Sequence, residues 1–117
     1  MPNFQQLDVY KISQEYIKEI YQVTKKYPSD EKFGLIDQIR RAAVSITANI
    51  AEGCGRYHSK DFTQFLRIAR GSSYEVVALL DVSLNLEYIS KKEYDGLLIK
   101  ADRINKMLNG LINSIKK

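Results

Sequence analysis

The sequence predicts an all-α protein, an antiparallel up-down-up-down four-helix bundle. Three observations lead there. Apolar residues recur at steps of three and four along nearly the whole chain, the period of one helix face. The chain has two prolines, Pro2 and Pro28, and neither interrupts a long apolar pattern. No Asn-Gly or Asp-Gly turn separates alternating segments, because Asp95-Gly96 lies inside a helical pattern. With 117 residues, of which 44% are hydrophobic and 27% charged, the chain suits one globular domain with a real core.

The first helix is expected over 7–27, with Val9, Ile12, Tyr16, Ile20, Val23 and Tyr27 on one face. Pro28 disfavours helical geometry at Tyr27 and helps to end it. A second helix over 31–53 carries the stripe Ile36, Ile39, Ala43, Ile46 and Ile50. Gly53 and Gly55 are expected to supply the left-handed residue that closes it. A third helix over 59–88 starts at Ser59 as N-cap, with Asp61 favourably placed in the first turn. Phe62, Leu66, Ala69, Ser73, Val76 and Leu80 form its core face. The fourth helix, over 90–116, is capped by Ser90 and repeats Tyr94, Leu97, Ala101, Ile104, Leu108, Leu111 and Ile115.

Several functions lack their parts. His58 is the only histidine, so His-pair zinc sites, His-based triads and di-iron bundles with paired Glu-x-x-His motifs are excluded. No phosphate-binding loop or dinucleotide fingerprint occurs. Cys54 is the only cysteine, so no intrachain disulfide forms, and its place at a helix C-terminus does not favour a thiolate. The sequence therefore offers no catalytic residues, metal ligands or cofactor site. The N-terminal stretch lacks the pattern of a signal peptide and no apolar run spans a membrane, so a cytoplasmic location is expected.

The leftover faces are more informative. On the third helix Ile68, Leu79, Val82 and Leu86 widen the apolar arc to roughly 220° at ~100° per residue, more than a single four-helix core requires. The second helix carries Val44, Ala48 and Ala51 off its main stripe. Either the third helix is the most central one, or helices two and three build a subunit interface. Glu75 falls within that second arc and is expected to find a cationic or hydrogen-bonding partner. Gln38, Arg41, Ser45, Asn49 and Glu52 form a polar stripe beside the isoleucines of the second helix. Such a stripe is either a solvated face or a hydrogen-bonded network in a helix–helix or subunit seam.

The formal charge of +4 is unevenly spread. Residues 37–70 hold six Lys and Arg against three acids, whereas 71–89 hold three acids and no Lys or Arg. Arg40, Arg41, Arg56, Lys60, Arg67 and Arg70 gather, on this reading, around the connection between the second and third helices. Thr63, Arg67, Arg70 and Tyr74 are expected on the face opposite the core. Arg and Lys suit phosphate contacts, and Tyr57 and Tyr74 offer stacking surfaces for unpaired bases. The bland alternative is surface charge for solubility.

The run from Gln38 through Arg41-Ala42, Ser45-Ile46 and Asn49-Ile50-Ala51-Glu52-Gly53 is specific. Together with Phe62, Phe65-Leu66, Ile68-Ala69, Gly71-Ser72 and Glu75 it resembles the family of 23S ribosomal RNA intervening-sequence proteins, over nearly the whole chain. The resemblance implies a four-helix bundle that assembles as a homopentamer. It also implies kinship with the accessory variability protein of diversity-generating retroelements, which binds a reverse transcriptase and nucleic acid. The best-matched residues are the polar stripe already singled out. The family often has proline where this chain has Thr47, so the second helix keeps a backbone donor there. The expectation is a non-enzymatic oligomer that binds structured RNA, or an RNA–protein complex, through Arg40, Arg56, Lys60, Arg67, Arg70, Tyr57 and Tyr74. The rival is a protein-interaction scaffold or retroelement accessory protein with no RNA-binding role of its own.

Overall fold

The computed structural model describes residues 3–115 and consists of four long helices, α1 (Asp8–Thr24), α2 (Leu35–Cys54), α3 (Ser59–Asn85) and α4 (Lys91–Ile115). Residue 116, the expected last residue of the fourth helix, lies outside the described residues. Short 3-10 turns at Phe4–Gln6 and Ser29–Glu31 precede α1 and α2. The molecule is a rod of 44 × 24 × 20 Å. Its length matches the ~40 Å that the 27 residues of α3 span at ~1.5 Å each.

Cross-links fix the antiparallel register. Lys26 pairs with Glu93, and Lys100 with Glu19, joining α1 and its following turn to α4. Ser45 and Ser72 share a hydrogen bond of 2.8 Å between α2 and α3. Arg70 bonds Asn109, and Tyr94 bonds Asp81, between α3 and α4. The core is the set of stripes read from the period, with Tyr16, Ile20, Ile39, Ile46, Ile50, Leu66, Leu80, Ile104 and Leu108 fully enclosed. Ser13, Thr24, Asn105 and Ile112 join them off the expected stripes. Ser13 and Thr24 are accommodated because each hydroxyl donates to the carbonyl one turn back, Val9 and Ile20, at 2.7 Å. The Tyr16 hydroxyl and the Ser73 hydroxyl have no partner among the described residues.

The helix ends differ from the expected ones in instructive ways. α1 stops at Thr24, three residues early: the Lys26 and Tyr27 amides donate to the Val23 and Thr24 carbonyls, tightening the turn ahead of Pro28. Tyr27 nevertheless returns to the core, its ring centroid 5.2 Å from that of Tyr88. α2 starts at Leu35 rather than 31, because Ser29–Glu31 closes as a 3-10 turn. The Glu31 carboxylate accepts from the Leu35 amide at 3.3 Å and from the Tyr88 hydroxyl at 2.9 Å, tying this start to the far end of α3.

Neither Gly53 nor Gly55 is left-handed. Gly53 is helical and Gly55 has φ −79°. Gly53 is required for another reason: a Cβ there would lie 2.9 Å from both the Phe62 ring and the Phe65 Cβ. α3 therefore crosses α2 at a distance that only glycine permits. The N-cap of α3 is His58, not Ser59, and its side chain makes no capping bond. α3 ends three residues before the expected 88 in a Schellman closure, with Tyr88 N–H on Ser83 C=O at 2.9 Å and Glu87 N–H on Leu84 C=O at 3.0 Å. The left-handed position is Glu87, at φ 62°. Ser90 is the expected cap of α4, and Glu93 completes a capping box with it: the Glu93 amide donates to Ser90 Oγ at 3.1 Å and the Ser90 amide to Glu93 Oε1 at 3.0 Å.

Candidate nucleic-acid interface

The basic residues divide between two ends of the rod. Neither Arg40 nor Arg41 is near the connection between α2 and α3. Arg41 stands thirteen residues before Cys54 on one helix and Arg40 fourteen, about 21 Å away. Arg40 Nε donates to Thr24 Oγ1 at 2.9 Å, its Nη2 to the Tyr21 carbonyl at 3.4 Å, and its guanidinium lies 4.4 Å over the Tyr21 ring. Arg40 thus braces α1 against α2 and belongs to a depression with Tyr21, Phe33 and Val44. Arg41 pairs along its own helix with Asp37 at 2.9 Å.

At the other end Arg56 pairs with Glu52 at 3.1 Å and packs 4.8 Å over the Phe65 ring. Tyr57 and His58 project from the connection, Tyr57 97% exposed. Lys60 and Arg67 are exposed and line one side of a groove against Ile115 of α4. Thr63, in the same groove, is not on an outer face: it is buried, and its hydroxyl donates to the Ser59 carbonyl at 2.9 Å. One turn beyond Arg67, Arg70 Nη1 donates to Asn109 Oδ1 at 2.6 Å. Tyr74 follows, 59% exposed, over a second depression of about 430 Å³ that Asn105, Lys106 and Asn109 line from α4.

Lys60, Arg67, Arg70 and Tyr74 thus share one continuous line, at steps of seven, three and four, along the α3 side of the α3–α4 groove. Three of the residues on the α4 side, Asn105, Lys106 and Asn109, escape a sequence reading. Asn105 interrupts the apolar row Leu98, Ala101, Leu108 and Ile112 beside the stripe read from the period, and that is the one signal that could have flagged it. Lys106 also pairs with Asp102 at 3.1 Å, which tempers the positive field at that end.

The polar stripe of α2 splits into three. Ser45 and Asn49 sit half-buried in the α2–α3 seam, the Asn49 amide donating to the Ser45 carbonyl at 2.8 Å and the Ser45 hydroxyl bonding Ser72. Arg41 and Glu52 are exposed and pair with Asp37 and Arg56. Gln38 is exposed. Glu75 is exposed too, and the expected cationic or hydrogen-bonding partner does not occur among the described residues. Beside it run Ile68, Val82 and Leu86, each between 42% and 48% exposed, while Leu79 is half-buried against the core.

A family model for the 23S rRNA-intervening sequence protein matches residues 5–110. The chain belongs to that family. The chain is also similar to a crystal structure from the S23 ribosomal protein family of Bacteroides thetaiotaomicron VPI-5482, a protein of unknown function. The two share 30% identity with a TM-score of 0.83, over 90% of this chain and 95% of the other. No curated protein sequence matches the chain. In this chain Thr47 lies within the unbroken α2, buried, its hydroxyl on the Val44 carbonyl at 2.9 Å. Cys54 is buried at the end of α2, and burial pushes its thiol up from the ordinary range. No helix among the described residues is long and apolar enough to cross a membrane.

Proposed function

We propose that this protein is a non-enzymatic, oligomeric, cytoplasmic helical bundle that binds structured RNA, alone or within an RNA–protein complex, through the α3–α4 groove. The observation that carries this reading is the line of Lys60, Arg67 and Arg70 along one side of that groove. Lys60 and Arg67 are exposed and without an ion pair among the described residues, and Arg70 is held by a neutral amide rather than by a carboxylate. Cations left uncompensated and aligned on one helix form the footprint of a polyanion backbone. Arg56 contributes only when its Glu52 partner yields, and Arg40 is committed elsewhere. The groove of one chain offers few charges, and a homopentamer, as the family resemblance implies, would repeat it five times.

The test is fluorescence anisotropy of a labelled structured RNA with nuclease-treated protein, at about 50 and 200 mM salt, where multi-phosphate binding weakens by orders of magnitude. Replacing Lys60, Arg67 and Arg70 together by Gln should flatten the salt slope. An unchanged slope would reject the groove as the binding surface. Absence of binding at the lower salt would favour the scaffold, for which the apolar line Ile68, Val82 and Leu86 is the specific observation.

A further inference from the structure

Asn105 is 9% exposed, lines the depression beneath Tyr74, and its Oδ1 has no hydrogen-bond partner among the described residues. A buried, unpaired amide is costly, and natural cores rarely keep one without a reason. The Tyr16, Tyr27 and Ser73 hydroxyls are likewise unpartnered among the described residues, but of these atoms only the Asn105 oxygen belongs to a residue that lines this depression, where its neighbour Asn109 is already bonded to Arg70. Around it the depression combines three chemistries. Val77 and Leu98 supply an apolar floor. Tyr74 supplies an aromatic face at the rim, 59% exposed and free to stack. Arg70, bonded to Asn109, brings positive charge to one margin, while Lys106 at the other is paired with Asp102, which also lines the depression.

An aliphatic side chain would satisfy the floor but strand the amide. An acidic peptide would meet the cations but leave the aromatic face idle. A nucleobase answers all of them: its π-face stacks on Tyr74, its edge offers a donor beside an acceptor to the amide, and its phosphates lie toward the cations. We infer that the depression between Tyr74 and Asn105 is a subsite for one unpaired RNA base. The inference rests on the RNA-binding reading and gives it a recognition element beyond phosphate contact. The amide complements an edge that every base carries, so the subsite selects an unstacked base and leaves its identity open.

The probe is an RNA hairpin with a single bulged adenosine, compared with the same hairpin carrying an abasic residue at the bulge and with a fully paired version. Anisotropy is read at about 50 mM salt, and oligomer mass is followed by light scattering. The wild type is expected to prefer the bulged base by about tenfold, the scale of one base–aromatic stack. Tyr74→Ala and Asn105→Ala should each bring the bulged and abasic hairpins to equal binding. Tyr74 is exposed enough that its variant carries the test even where Asn105→Ala fails to fold. Equal binding of bulged and abasic hairpins by the wild type, or a preference that survives Tyr74→Ala, overturns the subsite while phosphate binding stands. A lower mass for Tyr74→Ala assigns the depression to a neighbouring copy and overturns it too. No binding of any hairpin removes the RNA reading itself and the subsite with it.

Discussion

Phe62 and Phe65 pack where a side chain at position 53 would stand, so the α2–α3 crossing is set by one missing Cβ. Gly53→Ala should cost about 1–3 kcal/mol through overpacking, read as a lower urea midpoint at unchanged slope. Aromatic groups must move to admit the methyl, so this loss outweighs the entropic gain of removing a glycine. Position 87 has the opposite logic. Glu87 holds the left-handed residue of the Schellman closure, which for an ordinary L side chain costs ~1–2 kcal/mol. Glu87→Gly should therefore raise stability by about 1 kcal/mol, again by urea titration. The Tyr16 hydroxyl is enclosed without a partner among the described residues, and burial, with Glu19 nearby, pushes its ionisation above the ordinary range. Tyr16→Phe should leave stability unchanged or improve it, since no bond is lost and one stranded polar atom is removed. A clear destabilisation would mean that the hydroxyl has a partner in solution.

At the scale of elements, the helix ends carry the pH dependence. Glu93 closes the capping box of α4 and pairs with Lys26. The Lys26 bond first, then the Ser90 amide, hold its carboxyl below the ordinary range. A depressed carboxyl contributes stability that is present at neutral pH and is lost as pH falls through its folded value. Glu93→Gln keeps a cap acceptor but removes the charge. It should cost under ~1 kcal/mol at pH 7, because the Lys26 partner is exposed to solvent, and should reduce the acid loss measured as urea midpoint between pH 5 and pH 2, a range set by ordinary carboxylates near ~4. The four helices, their core stripes and the Ser90 cap were legible because each rests on local period or local capping chemistry. Ends set by contacts across the bundle were not. Tyr88 reaches Glu31 over 57 residues of chain, and Gly53 answers to two phenylalanines on another helix. The candidate interface was half legible for the same reason. Lys60, Arg67, Arg70 and Tyr74 follow one helix and fall in line by spacing, whereas Asn105, Lys106 and Asn109 join them only through the α3–α4 register. Arg40 was misplaced because closeness in sequence to other arginines says nothing of the ~21 Å of helix that separates it from the far end.

On the scale of the whole molecule, α3 exposes two separate surfaces among the described residues: one side of the basic α3–α4 groove and the apolar line of Ile68, Val82 and Leu86 beside Glu75. They lie at different angles on the helix, which leaves the apolar line clear of the proposed RNA-binding groove. Val82→Glu with Leu86→Glu should give a folded, helical chain of lower mass by light scattering. Leu79 is a poorer position for that test because it is half-buried against the core, so its replacement would perturb the fold itself. An assembly of unchanged mass would move the interface off α3. RNA anisotropy at two salt concentrations, wild type beside the Lys60, Arg67 and Arg70 triple variant, tests the proposed groove most directly. A phosphate-binding groove should give tight binding at about 50 mM, a loss of orders of magnitude by about 200 mM, and a markedly shallower slope for the variant. Binding that is absent at the lower salt, or whose slope the variant leaves untouched, would contradict it.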